Sequence, residues 1–311
     1  MKKTYDIVGR KKLWFTIPLV VLVITLLVSA VFGVELDINF RGGSIVTYSF
    51  EGDVDQGAFQ ETIQGALGQQ IGLQRQEDVV TGRVNYVATL SSKEGVTPEK
   101  QMEITSALQQ KFSGNNVEVV ETSNVDPAIG RDFFAKSMVA VAAAAVLMIL
   151  YIAFRFRKMG GWSAGVFATV ALMHDVMYVF ATFVLLRFPI GDSFIAVALT
   201  ILGYSINATI VIYDRIRENE RSMGSKETLD EVVNKSINQS LARSINTTVS
   251  TVIAVGTVCV ICYIFHVESI LIFTLPMMIG MLAGAYSSVC IAGPLWVTWQ
   301  DRKAAKKKLQ K

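Results

Sequence analysis

Charge is scarce in this 311-residue chain: Asp, Glu, Lys and Arg make up 18% of it, against a hydrophobic share of 51%. An ordinary water-soluble domain of this length carries more charge, so the composition argues against one. Cysteine is scarce too. Cys259, Cys262 and Cys290 all fall inside apolar runs, and the polar stretch 35–135 has none. That stretch must hold itself together through a core rather than through disulfides. Cys259-x-x-Cys262 has the spacing of a redox or metal motif, yet a lone pair inside an apolar helix reads as packing. The stretch 35–135 also lacks histidine and any convergent carboxylate motif, which points to a binding or moving module and not to an enzyme or a cofactor site. A net charge of +3 gives no sign of a nucleic-acid partner.

What the chain has instead is long apolar runs, at 13–34, 138–154, 162–186, 193–213, 245–265 and 270–299. About twenty apolar residues suffice for a helix to cross the hydrocarbon core of a bilayer. Six spans are therefore expected. The first is too long for a signal-peptide core and has no clean small-x-small cleavage site, so it reads as a retained helix. The basic residues fix the orientation. Arg10, Lys11 and Lys12 precede the first run, Arg155, Arg157 and Lys158 follow the second, and Arg215, Arg217 and Arg221 follow the fourth. The end of the chain, from Arg302 to Lys311, is basic as well. All these segments share one side if the helices alternate, and that side is expected to be cytoplasmic. The expected layout is a cytoplasmic start and first span over 1–34 and an extracytoplasmic domain over 35–135. Five spans over 136–299 follow, with an inner loop at 214–243, and then a basic tail over 300–311. Beside a membrane such a tail is an orientation signal and an anionic-lipid contact.

Within 35–135 the pattern alternates. A strand is expected over 38–50, bent or bulged at Gly42-Gly43. Phe59, Ile63 and Leu67 share one helical stripe in 54–71. Extended segments follow at 74–80 and 83–91. Thr97-Pro98-Glu99 opens a second helix, with Thr97 as N-cap and Pro98 in the first turn. A last strand is expected over 117–122. The order β-α-β-β-α-β is the split, ferredoxin-like pattern of an α+β domain.

Polar residues inside the spans need a partner or a task, because lipid makes them costly. His174-Asp175 lies in the third span, and Asp175 is the deep acid of the predicted bundle. Two readings stand: a helix–helix hydrogen bond to a Ser or Thr, or an ion or proton relay. In the fourth span Gly203 and Asn207 share a face. At the entry of the fifth, Arg243 shares a face with Thr247 and Ser250, and either snorkels to the interface or acts there. In the sixth, Gly280 and Gly284 form a small-residue stripe for close helix packing, followed by Tyr286, Ser287 and Ser288.

Several of these segments form a recognisable set. They are Gly203-Tyr204-Ser205-Ile206-Asn207, then Asp214-Arg215-Ile216-Arg217-Glu218-Asn219, then Asn234-x-Ser236-Ile237 with Leu241-x-Arg243-Ser244, and finally Gly280-x3-Gly284-x-Tyr286-Ser287-Ser288. Phe40-x-Gly42-Gly43, Pro127-x-x-Gly130 and His174-Asp175 add weaker support. In order and spacing the chain resembles the SecD–SecF family of bacterial protein-export membrane proteins, over nearly its whole length. The resemblance implies half of a twelve-helix bundle of the resistance–nodulation–division superfamily, completed by SecD. It also implies proton-driven assistance to polypeptide export at the SecYEG channel, with the translocating polypeptide as cargo and YajC as a further candidate partner. A non-conducting scaffold that holds SecD to the channel is the rival reading. The chain departs from the family pattern twice: Ala208 stands where an aspartate is usual, and Asn39-Phe40 replaces Asp-Phe.

Overall fold

The computed structural model describes residues 5–68, 71–77, 83–90, 97–125, 127–157, 160–224, 227–265 and 267–309. Its first long helix, α1 (Lys11–Phe32), is followed by a single-turn helix, α2 (Ile38–Arg41). The expected strand over 38–50 is therefore shorter than the alternation suggests. Asp37 accepts a hydrogen bond from the Asn39 backbone and starts the turn, and Gly42, at φ 83°, ends it. Strand β1 (Gly43–Ser49) begins only after that. Gly43 sits at φ 147°, and a Cβ there would collide with the Leu90 carbonyl oxygen. Glycine at this position lets the strand start against its neighbour.

The outer domain continues with α3 (Gln56–Leu67), β2 (Gly72–Glu77), β3 (Val84–Leu90), α4 (Pro98–Lys111) and β4 (Glu118–Val125). Residues 78–80 and 91 of the expected extended segments lie outside the described residues. The four strands form an antiparallel sheet in the order β2-β3-β1-β4, the ferredoxin-like arrangement. Alternation along β1 turns Val46 and Tyr48 to the helices, where Phe59, Ile63, Ile104 and Leu108 are fully buried. Phe59 is the hub of this core, 5.0 Å from the Tyr86 ring and 5.6 Å from those of Tyr48 and Phe112. Thr97 caps α4, with Pro98 in the first turn, as expected.

The membrane part comprises α5 (Pro127–Arg155), α6 (Gly161–Leu185), α7 (Asp192–Arg221), α8 (Leu229–Ile264), α9 (Glu268–Ser287), a π-helical turn (Ser288–Ala292) and α10 (Gly293–Leu309). Among the described residues, six segments are long and apolar enough to span a bilayer, α1 among them, with α9 through α10 counted as one. The π turn has a local cause. Pro294 has no N–H to donate to the preceding turn, which is free to widen.

The inner loop expected over 214–243 is mostly helix. α7 runs on through Arg221 and α8 starts at Leu229. The 36 residues of α8 span about 54 Å, well beyond a hydrocarbon core of about 30 Å. Its projecting end is held by side chains the loop reading passed over. Thr228 and Glu231 form a reciprocal capping box, and Val232, Val233 and Ile237 are buried. Asn219 donates to Ser236 and Gln239, and Asn234 and Asn238 accept the backbone N–H groups of Ile7 and Tyr5. The segment from Tyr5 to Val8 is thus strapped to the base of α8.

Two weak sequence motifs prove to be the joint between the outer domain and the bundle. Phe40 packs on Phe133 and Phe134 of α5, and Gly130 comes so close that its Cβ position lies 3.1 Å from the Phe40 carbonyl oxygen. The segment before α2 is tied to the α6–α7 turn, where Asp37 N–H donates to Ile190 and Asn39 Nδ2 donates to Asp192. A carboxylate at position 39 would face Asp192 with Asp37 close by. Asn39 replaces that repulsion with a hydrogen bond.

Candidate functional site

The polar residues of the bundle fall into two groups on opposite faces of α7, one closed and one open.

The closed group centres on Asp175 of α6, whose side chain is wholly buried. Small residues bring the helices close enough to enclose it. A Cβ on Gly284 would lie 3.0 Å from Ser205 and 3.6 Å from the Asp175 carboxylate, and one on Gly280 would lie 2.7 Å from Ile201. Ser205 of α7 donates to Asp175 Oδ2 at 2.5 Å, and Ser287 of α9 donates to the same oxygen at 2.9 Å. His174 Nδ1 stands 2.8 Å from Oδ1. The imidazole lies between Tyr178 and Tyr286, with ring centroids 4.7 and 5.7 Å away. Tyr286 in turn donates to the Trp14 carbonyl at 2.6 Å, which carries the network to α1. One turn along, Ser288 in the π segment pairs with Thr209 at 2.9 Å. Three helices thus meet on one carboxylate, and both of its oxygens are engaged. His174 Nε2 is the buried atom of the group without a partner.

The open group lies on the outward side of α7 and α8. Asn207, Ala208, Tyr204, Arg243 and Thr247 line a shallow pocket there. Gly203, Asn207, Arg243, Asn246, Thr247 and Ser250 are exposed. A Cβ on Gly203 would meet nothing within 4 Å, so this glycine does not serve packing within the chain. Among the described residues, neither Asn207 nor Arg243 makes a side-chain hydrogen bond or ion pair. Tyr204 is tethered to Thr251 at 2.8 Å. Ala208 leaves the face without a carboxylate. The structure therefore brings His174, Asp175, Gly280, Gly284, Tyr286, Ser287 and Ser288 together, and keeps Gly203, Asn207 and Arg243 apart from them.

Sequence reasoning missed several participants. Ser205 sits inside the quoted fourth-span text and Thr209 two residues past its end, one helical turn apart on the face opposite Asn207, and that periodicity was the available signal. A second small-residue stripe, Gly161-x3-Gly165, was also missed. A Cβ on Gly161 would collide with the Ala153 carbonyl, and one on Gly165 would lie 2.9 Å from that of Ile149. Among the described residues, no group of His, Cys, Asp and Glu could hold a metal ion.

Comparison with known proteins agrees with this architecture. Residues 104–302 match the family model described as protein export membrane protein SecD/SecF, C-terminal. A protein translocase subunit SecF of Alicyclobacillus acidocaldarius is 36% identical over 309 residues, covering 98% of this chain and 96% of the relative. A protein translocase subunit SecDF of Bacillus subtilis is 29% identical over 308 residues, but this chain covers only 40% of it. The crystal structure of SecDF from Thermus thermophilus, a translocon-associated membrane protein, superposes with a TM-score of 0.79 at 27% identity, over 96% of this chain and 39% of that one.

Proposed function

We propose, from the premise that this chain belongs to the SecD/SecF family of protein-export membrane proteins, that it is the SecF-type subunit of an accessory complex of the Sec translocon. Its relatives are named translocase subunits, and the role is transport rather than catalysis. The observation that carries the reading is the open face of α7 and α8. An exposed arginine and a row of Asn, Thr and Ser residues are costly against lipid. They become favourable when a second half of the bundle supplies their partners, and the longer SecDF chains leave room for such a half. That half is SecD. In this reading Gly203 admits a close helix approach and Arg243 pairs with a SecD carboxylate across the seam.

The same contrast assigns the coupling chemistry. Asp175 is wholly buried with both oxygens engaged, so it locks α6, α7 and α9 together. Proton-gradient coupling then rests on a SecD carboxylate tuned by Arg243 and Asn207, because this chain has Ala208 at the seam. The basic ends of the helices face the cytoplasm, and the ferredoxin-like domain lies outside and meets the emerging polypeptide. SecYEG and YajC are the neighbours this role requires. The scaffold reading draws on the same alanine: a seam without an acid on this side suits a subunit that only holds SecD in place.

The test is a disulfide. Asn207→Cys should cross-link to a cysteine placed in the fourth span of SecD, in membranes with the translocon intact. Absence of any cross-link from both Asn207→Cys and Gly203→Cys would overturn the seam. Export in inverted vesicles over graded proton gradients then separates coupling from scaffolding: a scaffold subunit leaves the gradient dependence intact in Arg243→Gln. Cysteine labelling of intact cells checks orientation, with modification expected at Lys100→Cys and none at Ser222→Cys.

A further inference from the structure

A third feature lies apart from both polar groups, at the basic end of the bundle. The α5–α6 turn and α10 enclose an open cavity of about 770 Å³. Its lining combines two kinds of side chain. Arg157 and Lys303 are cationic, and Trp162, Phe167 and Trp299 are aromatic. The cations are uncompensated: among the described residues, neither has an ion pair, and the guanidinium of Arg157 rests only over the Phe154 ring, 5.9 Å from its centroid. The aromatics are turned outward. Trp162 is 67% exposed and Trp299 49%. Phe167 packs against Trp299 at 6.0 Å, so the apolar wall is continuous from α6 to α10. Gly160, at φ 77°, caps the start of α6, and a Cβ there would lie 3.0 Å from the Gln300 side chain. The cavity is therefore built by the fold.

We propose that this cavity binds one anionic phospholipid, of the phosphatidylglycerol type, from the leaflet at the basic end of the helices. Its phosphodiester sits between Arg157 and Lys303, and its acyl chains run along Trp162 and Phe167. The match is one of charge and of shape. Tryptophans mark the headgroup level of a membrane, and basic pockets between spans at that level suit anionic headgroups. The cavity is far larger than an inorganic phosphate needs, and its aromatic wall would leave a soluble anion with apolar surface uncovered. A zwitterionic lipid would bring its own cation against two uncompensated ones. The bound lipid would add a bridge between α10 and the start of α6, which already meet there through Gln300 and Ser163 at 3.4 Å and through Trp299 and Phe167.

The full chain in nanodiscs provides the test, with its tryptophan fluorescence as readout. Brominated-chain phosphatidylglycerol, titrated into a phosphatidylcholine background, should quench at a much lower mole fraction than brominated-chain phosphatidylcholine does. Arg157→Gln with Lys303→Gln should shift the half-quenching fraction by roughly fivefold per charge removed. The control pair Arg10→Gln and Lys12→Gln, basic residues of the same end outside the cavity, should leave it unchanged. Equal quenching by the two lipids in the wild-type chain overturns the proposal without any variant, so an unstable variant does not leave it open. An unchanged preference in the double variant, or an equal loss in the control, overturns it too. Relief of quenching by millimolar inorganic phosphate or glycerol 3-phosphate would reassign the cavity to a soluble anion.

Discussion

Asp175 and Arg243 are both ionisable residues in the membrane part of one chain, and their surroundings are opposite. Asp175 is enclosed by three helices, with hydrogen bonds from Ser205 and Ser287 and a histidine on its other oxygen. Arg243 stands on an exposed face with no side-chain partner among the described residues. The first is complete within the chain, and the second is half of an arrangement. A buried polar group with all its partners holds a fold together, and a cation without them waits for another surface. The glycines divide in the same way. Gly280 and Gly284 are pressed against Ile201 and Ser205, and Gly203 faces open space.

The most severe way to break this contrast is to empty the closed site. Asp175→Ala leaves two serine hydroxyls and His174 without their acceptor, and should destabilise the chain by about 3 kcal/mol or more. Asp175→Asn keeps an acceptor oxygen and should cost less. Thermal unfolding in detergent and the amount of assembled complex measure both. If Asp175→Asn assembles fully yet abolishes the response of export to the proton gradient, Asp175 is the coupling group and the division proposed here is wrong.

The glycines sharpen it next. Gly284→Leu should overpack the α7–α9 contact at a cost of about 1–3 kcal/mol. Gly203→Leu should leave the midpoint of the isolated chain unchanged and weaken recovery of SecD on affinity purification. Equal loss of stability in the two variants would remove the distinction between inner and outer stripes.

Arg243→Lys probes the open face without disturbing the fold. Lysine snorkels as well as arginine does, but lacks the planar fork that holds a carboxylate in fixed geometry. Export of a slow secretory substrate should fall roughly tenfold, about 1.4 kcal/mol on the rate, at normal protein level. Wild-type export would show that Arg243 merely anchors the helix.

The smallest effect concerns the joint of the outer domain. Burial pushes the Asp37 carboxyl above the usual aspartate range, against the backbone hydrogen bond from Asn39, and Asp192 adds to the rise. A carboxyl raised in the folded state favours folding at low pH, and that contribution is lost as pH climbs through its folded pKa. Asp37→Asn keeps the cap and removes the ionisation. It should flatten the decline in thermal midpoint between acidic pH and neutrality, and raise the midpoint at pH 7 slightly. An unchanged pH profile would show that water reaches Asp37 freely.

Much of this molecule was legible in its residues, and the unread parts share a cause. Apolar runs and basic flanks are local, so the six spans could be placed directly, though not the full lengths of α5, α7 and α8; Thr97 as a cap and the β-α-β-β-α-β order were legible too. The turn at Asp37–Arg41 was read as strand because Ile38 and Phe40 alternate. What makes that turn helical is its docking on Phe133 and Phe134, a contact across about ninety positions of sequence. The base of α8 was read as loop because its charges and amides look solvated. Its amides are in fact partnered: Gln239 accepts from Arg215 and Asn219, and Asn234 and Asn238 accept from the backbone of Ile7 and Tyr5.

The sequence by itself determined that this chain spans a membrane six times, that it carries an α+β domain between its first two spans, and that it resembles one family of export proteins. These rest on hydropathy, periodicity and short motifs, each fixed within a few residues of the chain. Only the tertiary structure decided which polar residues are satisfied and which are waiting. Asp175 and Asn207 both look like costly polar groups in apolar helices. The rotation of α7 between its neighbours turns Ser205 inward and Asn207 outward, and side chains two positions apart on a helix cannot share a face.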